Sequence, residues 1–329
     1  MNKTLKKGQI SAQFTWIFVF IVGAIMLVFF LTIVKSQTKE ANYELAGEIV
    51  KNLDTVIKSS EQSLSSEKVV GLPDITINFV CDGKVSFYDI GDGITEDTPN
   101  DVIFSQGELR GRQLVIWTQS WKMPFRIATF QYLSTRNHKF VIVNDTGRYS
   151  EELYDLLPGN ITKDLIEPNE DIMDDNYDSY RIVEFKGSEH TANVPSGTSN
   201  LTIEVKGVGL DSYGNLTFNN ENKTNYLKQE SLFGAIFSDG KVFYECTMDK
   251  AFNRMKTLMT LSLNRTENLS QEITRQSCNT SYDFVKDSIN DDMLGDLDLS
   301  NSQRLYESSQ RIKADNERLM RGETCPLIY

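Results

Sequence analysis

The chain has 329 residues, with 46 acidic against 34 basic side chains and a formal net charge of −12. This acidic balance argues against nucleic-acid binding, because no basic stripe is available for phosphates, and against a peripheral site on an anionic membrane. A hydrophobic fraction of 40% excludes wholesale disorder, and the length allows one large domain or two small ones beside an anchor.

The first predicted element is an uncharged stretch at positions 14–34. As a helix it would be roughly 31 Å long, close to the thickness of a bilayer's hydrocarbon core. It has no polar face, so the sequence predicts a membrane-spanning or filament-core helix. Lys3, Lys6 and Lys7 precede the stretch, and no acid occurs before position 35. The positive-inside rule then predicts a single-pass protein of the cell membrane, with a cytoplasmic N-terminus and an extracytoplasmic bulk.

Positions 6–14 read K-K-G-Q-I-S-A-Q-F, a basic pair and a glycine directly before the apolar helix. This motif resembles the class III signal of archaeal type IV prepilins. The resemblance implies cleavage between Gly8 and Gln9, a basic leader at 1–8 and a pilin-like helix at 9–36. In that family an acidic residue at the fifth mature position faces a neighbour's new amino terminus. Gln13 is neutral, which favours a minor subunit or a plain anchored protein over a major filament subunit, and an uncleaved signal anchor is the alternative.

Apolar residues continue at helical spacing after the span. They predict a helix from position 37 to about 67, within a stalk at 37–70, that ends at Gly71 and Pro73. The stripe consists of Leu45, Ile49, Leu53, Val56, Ile57 and Leu64.

From position 74 the apolar period changes to two, which indicates strands. Hairpin turns are predicted at Asp82-Gly83 and Asp239-Gly240, and a short helix at 149–157. No alternation of strands and helices is evident, so a mainly antiparallel, β-sandwich-like extracytoplasmic domain is expected over 71–246. Its predicted strands are 75–81, 85–90, 102–105, 113–118, 125–133, 139–143, 181–186, 201–208, 215–218, 231–237 and 241–246.

The C-terminal segment, 247–329, has helical patterns around Met248 to Met259, at 279–293 and at 303–321. The predicted fold class is therefore α+β. It comprises an N-terminal transmembrane helix that continues into a stalk, a β-rich external domain and a C-terminal three-helix segment.

The four cysteines all follow the apolar stretch, and an even number in an external domain suggests two disulfides. Their spacing contains no CxxC motif, which argues against zinc and redox sites. Four cysteines allow three pairings. If the three C-terminal helices run up, down and up, Cys278 lies beside Cys325, and Cys81 is left for Cys246.

Eight N-x-S/T acceptors follow the span, against about four expected from the Asn, Ser and Thr content of the chain. They suggest glycosylation, although chance enrichment in a chain rich in these residues is the alternative. The acceptors are Asn144, Asn160, Asn200, Asn215, Asn222, Asn264, Asn268 and Asn279.

The sequence offers no recognisable reaction centre. Neither His138 nor His190 has metal-ligand spacing, and the GxSxG, Walker and GxGxxG motifs are absent. Trp117 and Trp121, expected on either side of a turn, are interpreted as core residues, with a carbohydrate-stacking platform as the alternative. We therefore predict no catalytic residue, no metal and no cofactor.

Two acidic segments invite comparison with calcium sites. The loop at 167–178 lacks the spaced ligands of a known calcium loop and is interpreted as a solvated charge run. Oxygens at Asp296, Asp298, Ser300, Ser302 and Glu307 partly match an EF-hand loop, but helix capping by the serines explains the same residues.

The strings WTQSWKMPFRIATFQYL, AIFSDGKVFYECTMDKAFNRM and CPLIY are similar to segments of single-span membrane-anchored proteins of small-genome archaea. This second resemblance implies the architecture and no particular activity. We expect a membrane-anchored, surface-exposed structural or adhesive protein with an unknown ligand. One form of this expectation is a minor pilin-like subunit in a homo-oligomer or pilus-like assembly. The alternatives are a membrane-tethered hydrolase acting on envelope polymers and an accessory subunit of a pilus or secretion assembly.

Overall fold

The computed structural model describes residues 5–62, 65–83, 85–90, 94–147, 149–173, 176–219, 223–273, 276–295, 297–321 and 325–329. The chain forms two compact units, Met1–Asn52 and Leu53–Tyr329. The fold is α+β, with an apolar N-terminal helix, two six-stranded sheets and a C-terminal helical segment, as the sequence predicts.

The elements in chain order begin with one long helix. The first part of the chain contains α1 Leu5–Glu61, β1 Ser65–Asp82, β2 Val85–Ile90, β3 Ile94–Asp97, β4 Val102–Ser105, β5 Glu108–Lys122, β6 Arg126–Thr135 and β7 His138–Val143. The second part contains α2 Tyr149–Leu156, β8 Thr162–Ile166, β9 Ser179–Phe185, β10 Thr198–Val205, β11 Tyr213–Phe218, β12 Thr224–Leu227, α3 Lys228–Phe237, α4 Lys241–Glu272, α5 Gln276–Asp287 and α6 Ser302–Arg321. A π-helical turn, Ser288–Met293, extends α5, and a 3₁₀ turn, Leu299–Asn301, precedes α6.

The helix α1 ends earlier than predicted, at Glu61 rather than near position 67. Residues 65–70, which the sequence assigned to the stalk, form the start of β1 and pair with β5. The register of β1 shifts between Gly71 and Ile75, so Gly71 and Pro73 mark an irregularity within a strand instead of a helix end. The segment of β1 before this shift has no period-two pattern, and therefore gave no strand signal.

The first sheet has the strand order β3-β2-β1-β5-β6-β4. Its long strands pair antiparallel through β1, β5 and β6, as expected, and only β4 runs parallel to its neighbour β6 among the described strands. The last turn of α1 packs on this sheet. There, the side-chain amide of Gln131 donates to the backbone oxygen of Ile57 at 3.3 Å.

The second sheet has the order β12-β11-β10-β9-β7-β8 and is more parallel than the sequence suggested. The strands β10, β9, β7 and β8 run parallel, while β11 and β12 pair antiparallel at one edge. The succession β7-α2-β8 is a strand-helix-strand unit joining two adjacent parallel strands. The sequence prediction missed this unit because β8 is a short, partly exposed edge strand without alternation.

The helix α3 lies at the centre of the core, in contact with both sheets. Every residue from Glu230 to Phe237 is buried. The ring of Phe237 lies 5.5 Å from that of Tyr132 in the first sheet and 4.8 Å from that of Phe140 in the second. A Cβ on Gly234 would come within 2.7 Å of the Phe104 ring, so the close approach of helix and sheet requires a residue without a side chain.

The strands predicted at 231–237 and 241–246 are therefore wrong: these residues belong to α3 and α4. The turn at Asp239-Gly240 joins two helices, not two strands. A helix buried on all sides has no polar face, so its sequence cannot be distinguished by periodicity from that of a buried strand. One continuous core joins the sheets to α4, α5 and α6, so the C-terminal helices pack on the β-rich part.

Candidate functional site

The apolar N-terminal segment is the most conspicuous surface feature. The segment Trp16–Gln37 is a single helix that is long enough and apolar enough to cross a membrane. Its mean hydropathy is 3.1, and no part of it is buried. Phe20 is 77% exposed. An uninterrupted apolar helical surface of this kind is strongly unfavourable in water, so it requires a cover of lipid or of other apolar helices.

The predicted processing residues, Gly8 and Gln9, lie within the helical backbone of α1. Cleavage between them stays a prediction, since nothing in the fold bears on it.

The cysteines form two disulfides, Cys81–Cys246 and Cys278–Cys325, with Cα–Cα distances of 5.9 Å and 5.7 Å. These are the expected pairings. The second bridge forms for the expected reason, namely that the C-terminal helices pack side by side: α5 packs against both α4 and α6. The first does not join two strand ends: Cys246 lies in α4, so the bridge fastens this helix to β1.

Seven of the eight glycosylation candidates lie in the described part of the chain, and Asn222 lies outside it. Asn160, Asn264 and Asn268 are exposed. Asn144 and Asn215 are partly buried, and their side-chain nitrogens donate to Glu167 and Glu204. The partly buried group also includes Asn200 and Asn279.

The tryptophans belong to the core. Trp117 and Trp121 both lie in β5, not on either side of a turn, and are 6% and 0% exposed. Trp117 packs 4.7 Å from the ring of Tyr132, and Trp121 stacks 5.2 Å from that of Phe130. This burial rules out a carbohydrate-stacking platform at these residues.

The acidic segments have local partners. Asp298 accepts the backbone N–H of Ser300 at 2.7 Å, which caps the 3₁₀ turn before α6, and Asp296 lies outside the described residues. In the acidic loop, Asp171 accepts the backbone N–H of Asn193 at 2.9 Å. The described residues contain no group of three or more His, Cys, Asp or Glu side chains that could hold a metal ion.

A polar cavity of about 380 Å³ opens where the two sheets meet at the carboxyl end of α3. The first sheet contributes Leu109 and Thr135, and the second contributes His138, Arg181 and Ser199. Asp239, in the corner between α3 and α4, completes the wall. We call this the sheet-junction cavity.

Arg181 lies beneath the floor of the cavity on the central strand β9, with 1% of its surface exposed. Its Nη2 donates to the backbone oxygens of Ser238 and of Asp239, the latter at 2.9 Å. These bonds satisfy carbonyls at the negative end of α3. Its Nε and Nη1 are buried and have no hydrogen-bond partner among the described residues. Burial lowers the pKa of Arg181 to about 10, against the opposing effect of Asp239, so the guanidinium stays charged at pH 7.

His138 begins the adjacent strand β7 and is also buried. Its Nδ1 lies 2.6 Å from the hydroxyl of Ser179, whereas its Nε2 has no hydrogen-bond partner in the part of the chain that the structure describes. Burial and the neighbouring Arg181 lower the pKa of His138 to about 3, so the ring is neutral at pH 7. Gln106 adds a buried amide whose nitrogen donates to the backbone oxygen of Phe237 at 3.1 Å and whose oxygen is unpaired.

The rim of the cavity is more acidic than its floor. Glu108, Asp178 and Asp239 are exposed there, and Glu108 pairs with Arg110 at 2.6 Å. The arrangement places the positive charge of Arg181 below and, at the mouth, the Glu108–Arg110 pair with the negative charges of Asp178 and Asp239. It can orient a ligand with a small anionic end directed inward, since a guanidinium offers several N–H donors to an oxyanion.

Sequence reasoning missed Arg181 altogether. It considered His138 only as a metal ligand, and the spacing of the histidines argued against that role. The available signal was an arginine directly before the apolar pair Ile182-Val183 of a predicted strand. The chain matches no protein-family model, no curated protein and no solved structure.

Proposed function

We propose that the protein is a membrane-anchored, surface-exposed structural or adhesive protein, held by Trp16–Gln37 with its disulfide-containing unit outside the cell. The observation that carries this proposal is the apolar helix without a buried side chain. The two disulfides favour an oxidising compartment for Leu53–Tyr329. The lysines at positions 3, 6 and 7 favour a cytoplasmic N-terminus.

Within this proposal, the protein is a minor pilin-like subunit whose leader is removed after Gly8. The support is the motif at positions 6–14 and the continuous helix of 57 residues, Leu5–Glu61, that contains it. Neighbouring copies or other single-span subunits would then cover part of the apolar helix, and lipid would cover the rest.

A tethered hydrolase receives less support. The sequence-based expectation for that alternative was a cleft with two close, buried carboxylates. The three acidic side chains that line the sheet-junction cavity, Glu108, Asp178 and Asp239, are instead exposed at its rim.

Intact-mass and N-terminal peptide analysis of the membrane-derived protein tests the subunit proposal. A mature start at Gln9 is expected when the chain is expressed with an archaeal prepilin peptidase. A Gly8→Leu variant should keep its leader, whereas Gly23→Leu, within the span, should be processed normally. A retained Met1 in all three proteins would refute processing and leave the anchor alone.

A further inference from the structure

The sheet-junction cavity contains a buried positive charge whose hydrogen-bonding capacity the described residues use only in part. Arg181 keeps its positive charge, yet among the described residues it forms no ion pair and bonds only to two backbone oxygens. A buried charge without a hydrogen-bonded counter-ion is costly. In the described part of the chain, the groups that offset this cost are carbonyl dipoles, the exposed Asp239 and the face of Phe218, 5.7 Å from the guanidinium carbon.

We propose that this cavity binds a small carboxylate-bearing molecule, with the carboxylate directed at Arg181 and His138. The unbonded Nε and Nη1 of Arg181 supply charged N–H donors, and the neutral His138 supplies Nε2. Charge-assisted bonds from a guanidinium to a carboxylate are among the strongest polar contacts in proteins. The proposal is independent of the membrane anchor.

The cavity also restricts what the rest of the ligand can be. Its volume of about 380 Å³ is near the lower end of the usual ~300–1,000 Å³ range for small-molecule pockets. The acidic side chains Asp178 and Asp239 at the mouth repel polyanions such as phosphate esters, whereas Glu108 is paired with Arg110. They accept hydrogen bonds from hydroxyl or ammonium groups, so the ligand is a sugar acid or a similar polar carboxylic acid.

Access to the floor requires a small adjustment. The unbonded nitrogens of Arg181 and His138 are shielded from bulk solvent. A carboxylate reaches them by a side-chain rotation at the floor of the cavity, and binding commonly induces such rotamer changes.

The test is calorimetric titration of the full-length protein in detergent at pH 7 and constant ionic strength. The probes are acetate, D-glucuronate, D-glucose and inorganic phosphate. Glucuronate and glucose are a matched pair, since they differ in the carboxylate group. We expect saturable binding of acetate and tighter binding of glucuronate, with glucose and phosphate at least tenfold weaker than glucuronate. A titration with polygalacturonate tests whether the carboxylate must belong to a small free molecule. We expect no binding of this polymer, because it is too large for the cavity mouth.

Two variants place the binding in the cavity. Arg181→Gln removes the buried charge, and Ser199→Leu narrows the cavity without changing any charge; each should weaken glucuronate binding at least tenfold. Arg318→Gln, at an arginine whose side chain is 70% exposed outside the cavity, should bind as the unmodified chain does. If the Arg181→Gln variant does not fold, the Ser199→Leu variant still tests whether glucuronate binds in the cavity. Equal binding of glucuronate and glucose, undiminished binding by Ser199→Leu, or no saturable binding of either carboxylate would overturn the proposal.

Discussion

The buried carboxyl group of Glu230 should make a measurable contribution to the pH dependence of stability. It lies in the first turn of α3, 9% exposed, and its Oε2 has no hydrogen-bond partner. Burial raises its pKa from the ordinary value of 4.5 to about 7, in spite of the nearby Lys228 and Lys122, which lower it. The group is therefore mostly protonated in the folded protein at pH values where the unfolded chain carries a negative charge.

The magnitude and sign follow from linkage between protonation and folding. Below pH 4.5 the carboxyl group is protonated in both the folded and the unfolded state, so its ionisation does not lower the free energy of unfolding. Between pH 4.5 and 7 only the unfolded state loses the proton of this group, so the contribution of Glu230 to the free energy of unfolding falls by about 1.4 kcal/mol for each pH unit. Above pH 7 the loss levels off at about 3 kcal/mol.

The substitution Glu230→Gln keeps the shape of the protonated side chain and removes its ionisation. We expect the variant to match the unmodified chain at pH 4 and to be more stable by up to about 3 kcal/mol at pH 8. Urea unfolding in detergent measures the stability at both pH values. Tryptophan fluorescence reports the transition, because Trp117 and Trp121 are buried in the folded protein. Glu151→Gln is the matched control, since Glu151 also lies in a first helical turn but is exposed. A gain of equal size at pH 4 and pH 8, or the same pH dependence in both variants, would refute the reasoning.

Two further changes test the core and the covalent frame. Gly234→Ala should destabilise the fold by about 1–3 kcal/mol, because the new Cβ meets the rigid ring of Phe104; Gly159→Ala, which meets nothing within 4 Å, should be near neutral in the same unfolding assay. A Gly234→Ala variant with an unchanged free energy of unfolding would contradict the close packing of α3. The double substitution Cys278→Ser with Cys325→Ser frees a loop of 47 residues and should lower the free energy of unfolding by about 4 kcal/mol. Peptide mapping without reductant checks the pairing, and a linkage of Cys325 to any other cysteine would contradict it.

The sequence predicted the parts of the fold whose patterns are local. The uncharged span is visible in composition alone, and β2, β4 and β7 coincide with alternating or apolar runs. The C-terminal helices were also recognised, since apolar residues recur on one face of each. In α4 this spacing begins at Tyr244 and continues through Met248, so the helix could have been extended upstream past Cys246.

The remaining differences have physical causes. The helix α3 is enclosed on all sides, which removes the polar face by which helices are recognised. The parallel order of β7, β8 and β9 depends on contacts distant in sequence, and β8 is short and partly exposed. The sheet-junction cavity combines side chains from both sheets and from the corner after α3. No spacing along the chain could have brought Arg181 and Gln106 together.

The central claim is that Trp16–Gln37 anchors the chain and that Leu53–Tyr329 lies outside the cell. It is tested most directly by labelling intact cells with a membrane-impermeant maleimide. The unmodified chain and a Lys313→Cys variant, at an exposed position of α6, form the pair to compare. The account predicts that the variant is labelled in intact cells and recovered in the alkali-washed membrane fraction. The unmodified chain, with its cysteines paired, should stay unlabelled. Labelling of the variant only after cell lysis, or recovery of the chain in the soluble fraction, would contradict the account.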